Sequence, residues 1–233
     1  MAFLVTSVGL ISIAVGWYLQ QELDLSAAAP LLAGIVTPLT VLACEPVRRR
    51  TPEHDRMGPA NVVTLFRAIW VSAVACFIGT SVTDSIAWWA SGLAAVALAL
   101  DGLDGFIARR TGSETDYGAQ LDMELDSIMM LVLSVLAFMW GRAGLWVLFC
   151  GLARYAWIAA YMCIAWFRRP LLESFRRKTA CVIGGVGLLL SLVPWAIPTL
   201  NTVFAATATA TLIFSFGIDL RWLISQRKRP ISC

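Results

Sequence analysis

Runs of apolar residues long enough to cross a bilayer fill most of this chain and leave room for little besides a helical membrane protein. A spanning helix needs about 20 mostly apolar residues. Eight segments meet or approach that length, near 2–19, 28–44, 61–81, 85–108, 118–140, 143–167, 179–197 and 200–220. Hydrophobic residues make up 59% of the chain and charged residues only 14%, against about 25% charged in a soluble domain. The surplus apolar surface has to face lipid. The first run is read as a retained helix, because no basic region precedes it, although Ala27–Ala29 resembles a small-residue cleavage site. The expected fold class is an all-α integral membrane protein with about eight spans. An N-terminal two-helix hairpin (1–44) and a polar segment (45–58) precede a six-helix bundle (59–233).

Basic residues mark the cytoplasmic side of membrane helices. Of the 18 Lys and Arg residues, Arg48, Arg49, Arg50 and Arg56 lie between the second and third runs, and Arg109 and Arg110 between the fourth and fifth. Arg168, Arg169, Arg176, Arg177 and Lys178 lie between the sixth and seventh, while Arg221, Arg227, Lys228 and Arg229 follow the eighth. The opposite side carries only Arg142. Both termini and all four basic segments are therefore expected in the cytoplasm, as in a protein of an inner (cell) membrane. Trp17, Trp88, Trp89, Trp140, Trp146, Trp166, Trp195 and Trp222 lie near span ends and fit an interfacial belt.

The remaining composition excludes several chemistries. The six cysteines form no CxxC pair and sit mostly in apolar runs, as small buried hydrophobes do. The one histidine, His54, lies in the polar segment, so histidine-based triads or metal sites have almost nothing to draw on. No nucleic-acid partner is expected.

The carboxylates are the exception to the apolar pattern. Asp101 and Asp104 close the fourth run, and Asp122 and Asp126 open the fifth. Acids inside spanning helices are costly and normally face a protein interior or a wet cavity. Asp101, Asp104, Gly105 and Ala108 share one helical face, which places two nearly bare positions beside two carboxylates. Gly118, Asp122 and Asp126 recur at i+4 on the next helix, so Asp126 lies about 12 Å along the axis from Gly118. A short connection makes the two helices antiparallel neighbours with their acidic faces together. Two divalent cations would neutralise four carboxylates, and oxygen-only ligands suit Mg²⁺ or Mn²⁺. A metal pair about 4 Å apart is a device for phosphoryl displacement. Glu124 points away from Asp122 and is read as complementing the positive end of its helix.

The stretch Asp101–Asp126 resembles the signature of the CDP-alcohol phosphotransferase family, D-x2-D-G-x2-A-R-x8-G-x3-D-x3-D, without departure in residue or spacing. The resemblance implies that Asp101, Asp104, Asp122 and Asp126 hold metal, with Asp126 also the general base. It implies that Gly105 and Ala108 make space for the CDP moiety and that Arg109 helps orient it, with Gly118 bordering the same pocket. Pro59-Ala60-Asn61-Val-Val-Thr64-Leu-Phe-Arg67 is similar to the family's P-N-x2-T-x2-R entry, with Ala60 inserted after the proline. By that resemblance Asn61, Thr64 and Arg67 border the nucleotide; capping and interhelical hydrogen bonds are the plainer reading. Arg154, well inside a span, and the Arg176-Arg177-Lys178 cluster resemble acceptor-phosphate contacts; the cluster also reads as positive-inside anchoring.

The expected activity is transfer of a phosphatidyl group from CDP-diacylglycerol to a small polar alcohol. The basic cluster suggests a phosphorylated acceptor of the glycerol 3-phosphate or inositol phosphate type, with CMP released. An alternative within the same chemistry moves a CDP-linked head group to a lipid alcohol. An ion or proton transporter explains acids in helices but not Gly105, Ala108 and Arg109; a non-catalytic scaffold explains the helices alone. The resemblance also implies a homodimer.

Overall fold

The computed structural model describes residues 2–50, 59–111, 116–168, 174–195 and 197–226. Eight α-helices follow in order: α1 (Ala2–Leu23), α2 (Ala29–Arg50), α3 (Pro59–Ala75), α4 (Asp84–Thr111), α5 (Asp116–Met139), α6 (Leu148–Cys163), α7 (Phe175–Leu192) and α8 (Thr199–Gln226). Single 3₁₀ turns cover Leu145–Val147 and Ala165–Arg168. No strand occurs among the described residues.

Each apolar run became a helix, with shifted ends. The run expected to 81 stops being helical at Ala75, where a turn follows and Gly79 takes φ +85°, a conformation that glycine enters without steric cost. The hairpin's second helix instead continues past residue 44 to Arg50. The run 143–167 is divided, because Ile164 is extended at the end of α6. His54 and the rest of 51–58 lie outside the described residues.

Among the described residues, four helical stretches are long and apolar enough on their own to cross a membrane: Leu4–Leu23, Asp84–Gly102, Leu145–Cys163 and Thr199–Gln226. Ala29–Glu45 and Val62–Ala75 are shorter apolar helices. Helix α5 carries Asp116, Asp122, Glu124 and Asp126 in its first three turns, and α7 carries Arg176, Arg177 and Lys178 in its first. Large hydrophobics are exposed along α1, α2, α4 and α8, among them Leu10, Trp17, Leu42, Trp88 and Phe214. Such apolar surface suits lipid and not water. The protein is a helical, multi-pass membrane protein.

Helix α5 is the hub. Its buried positions run most of the way round the helix, with Leu121, Leu125 and Met129 on one face and Glu124, Ser127, Ser134 and Ala137 on the others, as expected for an element packed on several sides. It packs on α2, α3, α6 and α7, while α4 packs chiefly on α3 and α7. Small residues let backbones approach: a Cβ on Gly151 of α6 would come within 2.4 Å of the Leu131 Cα of α5. In the hairpin, a Cβ on Gly16 would meet Ala33 at 2.9 Å.

At one end of the bundle the connections are tied together. The Ser26 amide donates to Thr80 Oγ1 at 3.1 Å, and Trp140 Nε1 donates to the Thr80 carbonyl at 3.2 Å. Trp140 is thus a buried structural donor and not part of a lipid-facing belt, whereas Trp17, Trp88 and Trp89 are exposed. Asn201 Nδ2 caps α7 by donating to the Ser191 and Val193 carbonyls at 2.6 and 2.7 Å. The start of α3, the end of α4 and the start of α5 converge at the opposite end, and there the acidic side chains lie. Of the cysteines, Cys44, Cys76 and Cys150 are buried as expected, but Cys163 and Cys181 are exposed.

Candidate metal and phosphotransfer site

Three helices supply one cluster. Asp101 comes from α4, Asp122 and Asp126 from successive turns of α5, and Arg67 from α3, which touches both. One oxygen from each aspartate can be chosen so that all three lie within 4.8 Å of one another. Arg67 Nη1 donates to Asp101 Oδ1 and, at 2.8 Å, to Asp122 Oδ1. Its Nη2 donates to Asp126 Oδ1 at 2.9 Å and to the Asp122 carbonyl at 3.4 Å.

Exposure divides the cluster into floor and rim. The Arg67 side chain is only 2% exposed, while those of Asp101, Asp122 and Asp126 are 31%, 41% and 44% exposed. The carboxylates are therefore reachable from outside and the guanidinium sits beneath them. Thr64, one turn before Arg67, is buried on the same helix. Gly118 is half-buried at the start of α5.

The donor set fits a divalent cation. All three side chains offer hard oxygen, each carboxylate has two oxygens, and three carboxylates with one guanidinium leave two negative charges in one place. Asp104, Gly105, Ala108 and Arg109 follow in the helical backbone of α4, but their side chains lie outside the described residues, as does that of Asn61.

Arg154 and Arg176 are engaged elsewhere. Arg154 of α6 pairs with Glu124 of α5 through Nη2 and Oε1, and Gln120 Nε2 donates to the same oxygen at 2.8 Å. Glu124 is buried and lies in the third turn of α5, so it does not serve the helix start; it balances a guanidinium inside the bundle. Arg176 of α7 reaches α8, pairing with Asp219 and donating to the Ser215 carbonyl and, at 2.7 Å, to Ser215 Oγ. Arg177 is half-buried and Lys178 exposed beside it. The need for a partner to Arg154 was legible, since an unpaired guanidinium in a span is costly. The partner itself was legible only by considering the in-span acids outside the motif, a small set that holds Glu124 and Asp219.

A bundle of membrane helices thus gathers three carboxylates at one end, a donor set that suits a divalent cation. The sequence profile of the CDP-alcohol phosphatidyltransferase family matches residues 57–216, from just before α3 into α8 and well over half of the chain. The chain belongs to the CDP-alcohol phosphatidyltransferase family, whose members are phosphotransferases and generally depend on divalent metal. No curated protein and no solved structure matches it.

Proposed function

We propose that the protein transfers a phosphatidyl group from CDP-diacylglycerol to a small polar alcohol and releases CMP, a step of phospholipid biosynthesis. The observation that carries this reading is the convergence of Asp101, Asp122 and Asp126 around Arg67 within the region that matches the family. Asp101, Asp104, Asp122 and Asp126 would hold two Mg²⁺ or Mn²⁺ ions. Bound there, the ions supply positive charge against the phosphates of the donor. Asp126 takes the proton of the acceptor hydroxyl. The acceptor oxygen forms a bond to the β-phosphorus, the bond from that phosphorus to the bridging oxygen breaks, and CMP leaves with that oxygen. Gly105 and Ala108 leave space for the nucleotide, Gly118, Asn61 and Thr64 border it, and Arg109 orients it.

The membrane arrangement belongs to the same reading. All eight helices span, both termini lie in the cytoplasm, and the aspartate end faces it too. The hairpin of α1 and α2, which ends at Arg50, and the segment 51–58 precede a six-helix domain at 59–233, and two copies form a homodimer.

A phosphorylated acceptor would meet the positive charge of Arg176, Arg177 and Lys178 at the first turn of α7; Arg154 and Arg176 each also pair with a carboxylate. Those two pairs favour a second reading, a neutral polyol or amino alcohol as acceptor. Purified protein with CDP-diacylglycerol decides between them. CMP is expected only when acceptor is added, with glycerol 3-phosphate or inositol phosphate outperforming inositol and serine, and chelation of divalent ions should abolish it. Turnover with inositol or serine alone selects the second reading. No release across the panel, with release from a CDP-linked head group on adding diacylglycerol, would reverse donor and acceptor.

A further inference from the structure

The side chain that joins the three carboxylates is itself a cation, and it is the most deeply buried member of the cluster. Arg67 is 1% exposed and reaches Asp101, Asp122 and Asp126 from a third helix. A role confined to the nucleotide would not require that placement. A guanidinium without partners inside a membrane bundle is costly, and so are three adjacent carboxylates without a cation. Each therefore meets the other's need, and the forked geometry of arginine lets one side chain serve three acids on two helices.

We infer that Arg67 is the built-in counter-ion of the aspartate cluster: it holds the three carboxylates together, and a divalent cation binds against its charge. The inference rests on reading the cluster as a metal site. Arg67 shares the same carboxylates that would ligate the ion, and its charge repels a dication a few ångströms away. Its removal has two opposite effects. The carboxylates lose the side chain that draws them together, but a dication supplies that attraction itself. The repulsion, by contrast, is relieved in full. Metal affinity should therefore rise while the protein without metal becomes less stable.

Mn²⁺ binding, read from the loss of the free-ion electron paramagnetic resonance signal, tests this on detergent-purified protein alongside thermal unfolding. In R67Q the affinity for Mn²⁺ is expected to rise about tenfold or more. Tm without metal is expected to fall by at least about 5 °C and to recover on adding Mn²⁺. Equal or weaker Mn²⁺ binding by folded R67Q overturns the inference. If R67Q cannot be obtained folded, R67K takes its place, keeping the charge and losing the fork. Its affinity should stay within about threefold of the parent while its metal-free Tm falls, and an unchanged Tm overturns the inference. A parent protein that binds no Mn²⁺ would instead remove the metal-site reading, so the two failures are distinguishable.

Discussion

Asp126 shows what one residue is asked to do at this site. In the proposed mechanism it takes the acceptor proton; it lies on α5 one turn beyond Asp122, and Arg67 Nη2 donates to its Oδ1 at 2.9 Å. Asparagine keeps the size and one oxygen but cannot take a proton. D126N is therefore expected to lower kcat for CMP release by about 100-fold or more, with the protein still folded by size-exclusion and thermal unfolding. Near-normal turnover in folded D126N would refute the assignment of the base. The grouping of Asp101, Asp122 and Asp126 was legible because carboxylates at i, i+21 and i+25 in apolar surroundings are too costly to stand there without a cation to meet them, while the Asp104 side chain lies outside the described residues. The place of Arg67 was not. Its helical position shows a stripe with Asn61 and Thr64, but the relative depth of α3, α4 and α5 decides what that stripe meets, and depth is set by packing.

Among elements, α5 has to present two faces at once. Asp122 and Asp126 look toward α3, while Glu124, between them in sequence, looks toward α6 and pairs with Arg154. That pair pins the rotation of α5 about its own axis, and a turned helix would carry Asp122 and Asp126 away from Arg67. Removing one partner of a buried pair leaves the other charge uncompensated, a loss of about 3–5 kcal/mol. E124Q is expected to lower Tm in detergent markedly. The double substitution E124Q/R154M should recover much of that loss, since both charges are then absent. A Tm for E124Q equal to that of the parent would show that the pair pins nothing. The kinetic readout separates structure from substrate contact: if Arg154 serves α5 alone, the double variant keeps its acceptor KM, and a tenfold rise would return Arg154 to the acceptor site. Apolar periodicity made every helix visible but not the end of α3, since Cys76, Phe77 and Ile78 continue the apolar run while the backbone has already turned.

For the whole molecule, the open matter is whether the hairpin is an appendage or part of the bundle. Helices α1 and α2 pack against α3, and α2 also packs against α5, the helix that carries the aspartates. The contact is specific at the end away from the site. Cys76 Sγ donates to the Ala29 carbonyl at 3.5 Å and the Ser26 amide donates to Thr80 Oγ1 at 3.1 Å. Ala29, Ala33 and Val36 are buried there, and small residues of this kind give membrane helices the close packing that lipid alone does not drive. A covalent link through 51–58 should then be dispensable once the helices are inserted. With a protease site placed in that segment, the cleaved N-terminal fragment is expected to remain with the six-helix fragment through affinity purification in mild detergent. CMP release should be retained within about twofold. An appendage makes the opposite prediction: the hairpin washes away and activity stays, because nothing at the site depended on it. Loss of the hairpin together with loss of activity would show instead that α2 holds α5 in place only while tethered. The packing of α2 on α5 argues for the first outcome, since a helix seated on the hub is held by the same burial that orders the hub.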